Sequence, residues 1–550
     1  GHFCWDHGTS APPPTLDRVN EKIVFEALTK LKSGKSDPTF SFNSDCLLNS
    51  CDDLIKHVTI LFKWFLRTGT IPAFLLLCTI VPIVKDNLED IASSDNYRAI
   101  AIGSLLLKWF DWLIIILEGD KLATDELQFG FQAKSSTSMC TWAINTVIDH
   151  YNRLGRPIFA CSMDLSKAFD MVSWAKLFPK LLKRKISPLI LRCLIHIYSN
   201  QMCNVRWGNI ISQPFNVKNG VRQGAVSSPI LFCVYINDLI VQLRNLKVGC
   251  QLNCVYLGIW VYADDIILLS PSRSGLQLMT NVCEKFASLH QLKFSTNVDV
   301  SKSKTKCIVF SNPVMNTDNI CPILLNNLPL PYVTEIKHLG NTLQSNGSMT
   351  KDVSCKRAKF ISKIHSLNQE FHYANTSTVL KLYDIYTCDF YGSNLWDLYS
   401  RDVQKLLNSW NIAIRILFDL PRETHRYFIE PISNVPHIKT VLCTRFVQFV
   451  TSLSNCHKLC IRLLVDLSKH DLRTVLCKNL ESIAQDCNVQ SRNLNKFYVK
   501  QNMIYNHIPL DQEWKLPILH ELLKVKEDNF VLNNFVDNEI ATMINFLCSD

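Results

Sequence analysis

Ile259-Trp-Val-Tyr-Ala-Asp-Asp-Ile-Ile-Leu268 is the stretch on which the fold turns. Two adjacent carboxylates, Asp264 and Asp265, interrupt two apolar runs of β character. Standing alone, a pair of aspartates suits a solvent-exposed turn. Here Val261-Tyr262-Ala263 on one side and Ile266–Leu269 on the other argue against simple exposure. Like charges held between hydrophobic strands repel each other and lose hydration. A hard divalent cation relieves both costs, and Mg²⁺ favours carboxylate oxygens combined with substrate phosphates.

A third acid lies upstream. Phe159-Ala-Cys-Ser-Met-Asp164 runs from a short β-type segment, Ile158–Met163, into a carboxylate. An aspartate opening a turn is unremarkable alone. Joined to Asp264 and Asp265 it completes the set that clamps two metals, activates a 3′-hydroxyl and holds a leaving pyrophosphate. The next element is Asn219-Gly-Val-Arg-Gln-Gly-Ala-Val-Ser-Ser-Pro229. Gly220 and Gly224 allow close backbone approach to a ligand, while Arg222 and Gln223 offer donors to phosphate or base. By itself such a segment is equally a plain loop.

The surroundings alternate helix and strand signals. Spacing at Ile23, Ala27, Leu28 and Leu31 predicts a helix over 21–33, and another is expected over 54–67. Leu75–Val84 reads as a buried strand and 99–117 as a buried helix, since Lys108 and Asp111 oppose a membrane reading. Helices are expected over 174–184, 188–198, 228–243 and 276–290, and paired short strands over 204–207 and 215–217. Cys254–Val261 and Ile266–Leu269 should form a hairpin around the acidic pair, with a further strand over 305–310. Beyond about residue 350 the pattern is helical.

Composition narrows the function classes. The 550 residues are 47% apolar and 10% aromatic, which excludes a disordered or fibrous chain and suits two or three lobes. Residues 151–250 hold 14 Lys/Arg against 3 Asp/Glu, more than the whole net charge of +10. Such a localised excess indicates an anionic partner, nucleic acid first. The 22 cysteines contain no CxxC, so reduced thiols in an intracellular protein are expected rather than a zinc site. No signal peptide or membrane partner is expected, and the opening at Gly1 reads as a fragment of a longer frame.

Taken in order, the segments VPIVKD (81–86), NYRAIAI (96–102), LQFGFQAKSST (127–137), MDLSKAFDMV (163–172), NGVRQGAVSSPILFCVYINDL (219–239), YADD (262–265), SKTKCIVF (303–310) and IKHLG (336–340) form a series. The chain resembles the reverse transcriptases, RNA-directed DNA polymerases, of non-LTR (LINE-type) retrotransposons. The likeness covers roughly residues 20–450 and is most specific over 80–345. Gly34-Lys-Ser-Asp-Pro38, Ala99, Ala225 and Ser227 depart from the family's usual residues, without removing a chemical group the reaction needs.

The resemblance implies an α+β, right-hand polymerase fold: fingers, a palm with an antiparallel sheet, a thumb, then a helical C-terminal region. The expected segments are 1–75 (fingers extension), 76–345 (fingers and palm), 346–450 (thumb-like helices) and 451–550 (C-terminal helices of unassigned role). Asp164, Asp264 and Asp265 would be the catalytic metal ligands, with the Leu165 carbonyl completing one shell. Two Mg²⁺ ions are implied, with Mn²⁺ as the alternative. Phe169 would sit under the incoming sugar and exclude a 2′-hydroxyl, although core packing also accounts for it. Lys85, Arg98, Arg222, Gln223, Gly224 and Lys304 would contact the nucleotide, and Lys304 would protonate pyrophosphate. Lys176, Lys180, Lys183, Arg184, Lys185 and Arg192 would track a template–primer backbone or simply form a solvated face.

The implied partners are an RNA template, a DNA primer or target, and dNTPs. Endonuclease activity would come from a missing domain or another protein. A nuclear site or a cytoplasmic ribonucleoprotein would suit such a protein. The competing reading is a catalytically silent remnant that binds RNA.

Overall fold

The structure, a computed structural model, describes residues 14–38, 42–85, 90–300, 303–371, 373–433, 435–502 and 517. It is α+β and divides into two units interleaved along the chain. The first comprises Gly1–Ala133, Met163–Thr305 and Pro322–Pro331; the second comprises Lys134–Ser162, Lys306–Cys321 and Tyr332–Asp550. Most of the last expected segment, 503–550, lies outside the described residues.

In the first unit, helix Glu21–Thr29 begins at Asn20, whose side chain accepts from the Ile23 amide, and buries Val24, Ala27 and Leu28. Helix Asp52–Thr68 ends at Gly69 (φ +69°), whose N–H reaches the Phe65 carbonyl. These helices pack on Leu105–Glu118 through aromatic contacts. Phe62 meets Trp109 edge-on at 5.7 Å and Phe110 at 5.1 Å, and the Trp109 indole donates to the Val24 carbonyl at 2.8 Å.

The expected helix over 99–117 is corrected. Its first residues belong to strand Tyr97–Ile102, and the helix starts only after Ser104, whose side chain accepts from the Leu106 amide. Composition could not separate the two, since both are apolar runs. Among the described residues no helix is long and apolar enough to cross a membrane.

Strand Leu77–Val84 organises a five-stranded sheet. It runs antiparallel to Tyr97–Ile102, with Val84 opposite Tyr97, and parallel to Met202–Trp207, with Cys78 opposite Cys203. Ile210–Ile211 and Phe215–Asn216 both add to Met202–Trp207. Buried Cys78, Ala101 and Cys203 close its base with Ile80 and Val217. Helices Trp174–Lys183, Pro188–Ser199, Ser228–Asn245 and Arg273–Leu289 complete the unit close to their expected bounds.

The basic helices carry a second correction. Lys180 donates to the Tyr235 carbonyl and pairs with Asp238 at 2.8 Å, Arg184 bonds the Lys121 and Ala123 carbonyls, and Arg192 bonds the Leu66 and Arg67 carbonyls. These three cations fasten helices to their neighbours. Lys176, Lys183 and Lys185 are exposed.

In the second unit, Ile158–Ser162 pairs antiparallel with Lys306–Phe310. Strands Glu335–His338 and Asn341–Gln344 form a hairpin, and helices from Thr350–Phe371 to Lys496–Asn502 follow. Buried indoles with polar partners tie this helical array together. Trp396 donates to Asp352 at 2.8 Å, Trp410 donates to the Tyr383 hydroxyl at 2.7 Å, and the Asn479 amide donates to the Trp396 carbonyl at 2.8 Å. The described cysteines are all free thiols, most of them buried.

His338 is 3% exposed, and its Nε2 has no hydrogen-bond partner among the described residues. Burial pushes its pKa down to about 4. Between pH 6.5 and about 4 the unfolded chain binds a proton that the folded chain rejects, so stability falls as pH drops through that window. The loss should be on the order of 3 kcal/mol. His338→Leu should shrink the difference between urea midpoints measured at pH 7 and pH 4.5.

Candidate active site

Apolar strands Ile259–Tyr262 and Asp265–Ser270 pair as the expected hairpin, with Tyr262 opposite Asp265. The two-residue turn is Ala263-Asp264, and Ala263 takes φ +57°, a region that disfavours side chains. What holds it there is a glutamine that sequence reasoning passed over. The Gln128 Oε1 accepts the Ala263 N–H at 3.0 Å and the Gly130 N–H at 2.8 Å, and Gln128 is fully buried. Backbone bonds from Phe129 to the Val261 carbonyl and from Val261 to the Leu127 carbonyl lay residues 127–129 along the hairpin. A Cβ on Gly130 would stand 2.4 Å from the Ala263 nitrogen, so only glycine fits. The signal was present in LQFG, but no local chemistry revealed its partner.

Asp164 follows strand Ile158–Met163 and is anchored through its backbone. Its N–H donates to the Thr305 hydroxyl at 3.3 Å, and its carbonyl accepts from Ser295 at 2.8 Å. The Ser166 N–H donates to the Lys293 carbonyl, so Leu165 faces Phe294 between two bonded positions. In such an antiparallel pair the carbonyl of the intervening residue, Leu165, points away from the facing segment.

Asp164 and Asp264 are half-buried and Asp265 is exposed. Burial raises the Asp164 pKa, against the opposing charges of Lys304 and Lys85. For Asp264, burial raises it, as does the charge of Asp164, while a backbone hydrogen bond and Arg98 oppose them. Although Asp265 is open to solvent, the protein around it and then the charges of Asp264 and Asp164 push it up to about 6. The three carboxylates therefore share one electrostatic field. None forms an ion pair with a cationic side chain among the described residues.

Among the described residues no group of three or more His, Cys, Asp or Glu side chains is placed to hold a metal ion by itself. Three hard, under-neutralised oxygen donors nonetheless fit a divalent cation that draws its remaining ligands from water and substrate phosphates.

The other expected residues divide. Lys85 and Arg98 are exposed on the sheet, Lys85 with its ammonium on the Asp95 carbonyl at 2.6 Å. Lys304 is exposed. Phe169 is half-buried and stacks on Phe232 at 4.8 Å, as core packing requires. Gln223 is half-buried, its carbonyl accepts the Ala101 N–H at 2.6 Å, and its side chain bonds Asp170.

Two expectations are corrected. Arg222 is 6% exposed, with its guanidinium on the Cys78 sulfur at 3.5 Å and over the Tyr198 ring at 5.9 Å. It also lies in the field of buried Asp111. The close approaches at Gly220 and Gly224 are to the protein itself. Cβ atoms there would fall 2.8 Å from Asp170 and 2.3 Å from the Ala101 oxygen. These glycines seat the turn against strand Tyr97–Ile102 and the Asp164 loop.

Residues 83–343 match the family described as reverse transcriptase (RNA-dependent DNA polymerase). These residues form a reverse transcriptase domain. The chain is 24% identical over 386 residues to an RNA-directed DNA polymerase from mobile element jockey of Drosophila funebris, covering 69% of this chain and 40% of that one. It is 23% identical over 202 residues to a retrovirus-related Pol polyprotein from the type-2 retrotransposable element R2DM of Drosophila melanogaster, covering 37% and 19%. A probable RNA-directed DNA polymerase from transposon X-element of the same fly is 23% identical over 359 residues, covering 62% and 38%. The chain thus spans two fifths or less of each of these relatives.

Within the reverse transcriptase domain, Gln128→Leu should strand two buried amides at about 1–3 kcal/mol each. The Ala263 and Gly130 amides should then exchange hydrogen faster than in wild type, whereas Gln128→Glu, which keeps an acceptor, should protect them. Arg222→Met should remove the charge that opposes the burial-driven rise of the Asp111 pKa and destabilise the unit. The shift of the urea midpoint measures it.

Proposed function

We propose that this chain is the RNA-directed DNA polymerase of a non-LTR retrotransposon, copying RNA into DNA from dNTPs. The observation that carries this reading is the shared field of Asp164, Asp264 and Asp265 at adjoining strand ends, inside a reverse transcriptase domain. Burial is the first cause of each raised pKa, and neighbouring carboxylates add to it for Asp264 and Asp265.

Asp164, Asp264 and Asp265, with the Leu165 carbonyl, would hold two Mg²⁺ ions, Mn²⁺ being the substitute. When bound, such ions supply Lewis acidity at the transferring phosphate and lower the pKa of an attacking hydroxyl. The chain's own residues do the placing. Lys85, just past strand Leu77–Val84, and Arg98, on the neighbouring strand, are both exposed and attract the triphosphate. The Gln223-Gly224 turn, fastened to Ala101, forms a rigid wall for the nascent pair. Phe169, braced by Phe232, keeps its ring where a ribose 2′-hydroxyl would clash. Lys304, whose charge Asp164 feels, hands a proton to the departing pyrophosphate.

On this reading the template is RNA and the primer is a DNA 3′ end, exposed by a nicking activity in a separate domain or protein. Residues 76–345 act as fingers and palm, with the helices beyond 346 serving as thumb and C-terminal region.

Primer extension on an RNA template with Mg²⁺ and dNTPs tests it. Asp264→Asn should lower incorporation by at least about 10²-fold while RNA binding persists. Folded wild-type protein that binds RNA and incorporates nothing would sink the polymerase reading in favour of an RNA-binding remnant.

A further inference from the structure

Strands Leu77–Val84 and Met202–Trp207 set two thiols side by side at the base of the five-stranded sheet. Cys78 lies directly opposite Cys203 in the parallel ladder, and each is 1% exposed. Neighbouring strands run about 4.8 Å apart, inside the window of roughly 4.4–6.8 Å that the two Cα atoms of a disulfide span. Both side chains share one face of the sheet and pack with Ala101. The site around Asp164, Asp264 and Asp265 does not use them.

Their surroundings make the two sulfurs different. The Gln201 amide donates to the Cys203 sulfur at 3.5 Å, and the Cys203 thiol donates to Cys78. The Arg222 guanidinium donates to the Cys78 sulfur, also at 3.5 Å. In return the Cys78 thiol gives one weak bond, to the Leu76 carbonyl at 3.8 Å. The Cys203 hydrogen bond, then Arg222 and Lys108, hold the Cys78 thiol below its ordinary value against the cost of burial. The same bond pushes Cys203 up, as does burial. A sulfur that tends to thiolate beside one that keeps its proton is the pairing of an attacking and a resolving cysteine.

A small oxidant also has a place to stand. A void of about 10 Å³, the space of one water-sized molecule, is lined by Cys78, Gly103, Ser104, Lys108, Asp111 and Arg222 among others. A Cβ on Gly103 would stand 3.2 Å from the Cys78 sulfur and 3.7 Å from an Arg222 nitrogen, so glycine keeps that side of the sulfur open. Hydrogen peroxide, close to water in size and polarity, suits such a space. A second thiol pair supplies the contrast. Cys161 and Cys307 are opposite each other on antiparallel strands, and both are fully buried. The Cys161 thiol and then burial push Cys307 well above the ordinary thiol range, and no cation opposes them among the described residues. Register alone does not make a thiol reactive.

We propose that Cys78 and Cys203 are a peroxide-sensitive modification site, closing to a disulfide that staples strand Leu77–Val84 to Met202–Trp207. The Cys78 thiolate attacks one oxygen of hydrogen peroxide. The O–O bond breaks, an S–O bond forms, and the departing hydroxide takes a proton from water. The Cys203 sulfur then attacks the Cys78 sulfenic acid. An S–S bond forms, the S–O bond breaks, and the hydroxyl leaves with the Cys203 proton as water. Each sulfur is oxidised by one electron, and peroxide is reduced by two. The site is independent of the polymerase reading and holds whether or not dNTPs are incorporated.

The reduced full chain should be treated with hydrogen peroxide, its remaining thiols alkylated, and its peptides mapped by mass spectrometry without reductant. A Cys78–Cys203 cross-linked peptide should appear at least about tenfold faster than a Cys161–Cys307 one, and dithiothreitol should remove it. Denaturing urea added before peroxide should erase that preference. In Cys203→Ser the sulfenic acid on Cys78 should persist and be trapped by dimedone, whereas in Cys78→Ser the Cys203 thiol should stay reduced. The wild-type comparison needs no variant, so it stands whatever a serine costs the fold.

Absence of the Cys78–Cys203 peptide from folded, peroxide-treated wild type overturns the proposal. So does a Cys161–Cys307 disulfide formed at the same rate, or a preference that survives denaturation. Dimedone on Cys203 in Cys78→Ser, as fast as on Cys78 in Cys203→Ser, overturns the assignment of the attacking sulfur.

Discussion

One carbonyl oxygen, Gln128 Oε1, receives the amides of Ala263 and Gly130 and thereby sets the turn that carries Asp264. An alanine with positive φ is held against its own preference, and the glutamine adds to the hairpin's own ladder in keeping it there. Full burial of Gln128 makes the bond expensive to break, since neither amide would find water. Everything downstream depends on this clamp: the register of the hairpin, the projection of two carboxylates from its end, and their distance from Asp164.

The carboxylates themselves are kept from easy neutralisation. Lys304, Lys85 and Arg98 are close enough to bias Asp164 and Asp264, yet none closes an ion pair with them. A direct salt bridge would occupy the oxygens and discharge the field that draws in a cation and a triphosphate. Cations elsewhere in the first unit have the opposite use. Lys180, Arg184 and Arg192 are turned to backbone carbonyls at helix junctions, and Arg222 is sealed beneath the glycine turn with Asp111 and Tyr198. Net charge is thus a poor guide to which cations meet a ligand, because a long side chain reaches a buried carbonyl as readily as a phosphate.

The glycine turn shows the same economy. Gly220 and Gly224 were expected to make room for a ligand, and they do make room, but for Asp170 and Ala101. Through them the loop after Asp164, strand Tyr97–Ile102 and helix Ser228–Asn245 form one support. Substrate-facing groups such as Gln223 are held on a backbone already fastened on both sides.

Much of this was legible in the order of residues. Two continuous apolar runs around Asp264-Asp265 pointed to the hairpin, because strands buried on both faces read as unbroken apolar stretches. Helix bounds such as Pro188–Ser199 and Ser228–Asn245 followed from apolar spacing and an early proline. The three aspartates were legible because their residue type and flanks are local properties. Partners distant in sequence were not. That Arg222 faces Cys78, that Gln128 holds Ala263, and that Trp207 lies beside Tyr97 are consequences of strand register and helix packing. Spacing along a chain records which residues can share a face. Only the folded backbone decides which two faces meet, and with that whether a cation is spent inside or left for a ligand.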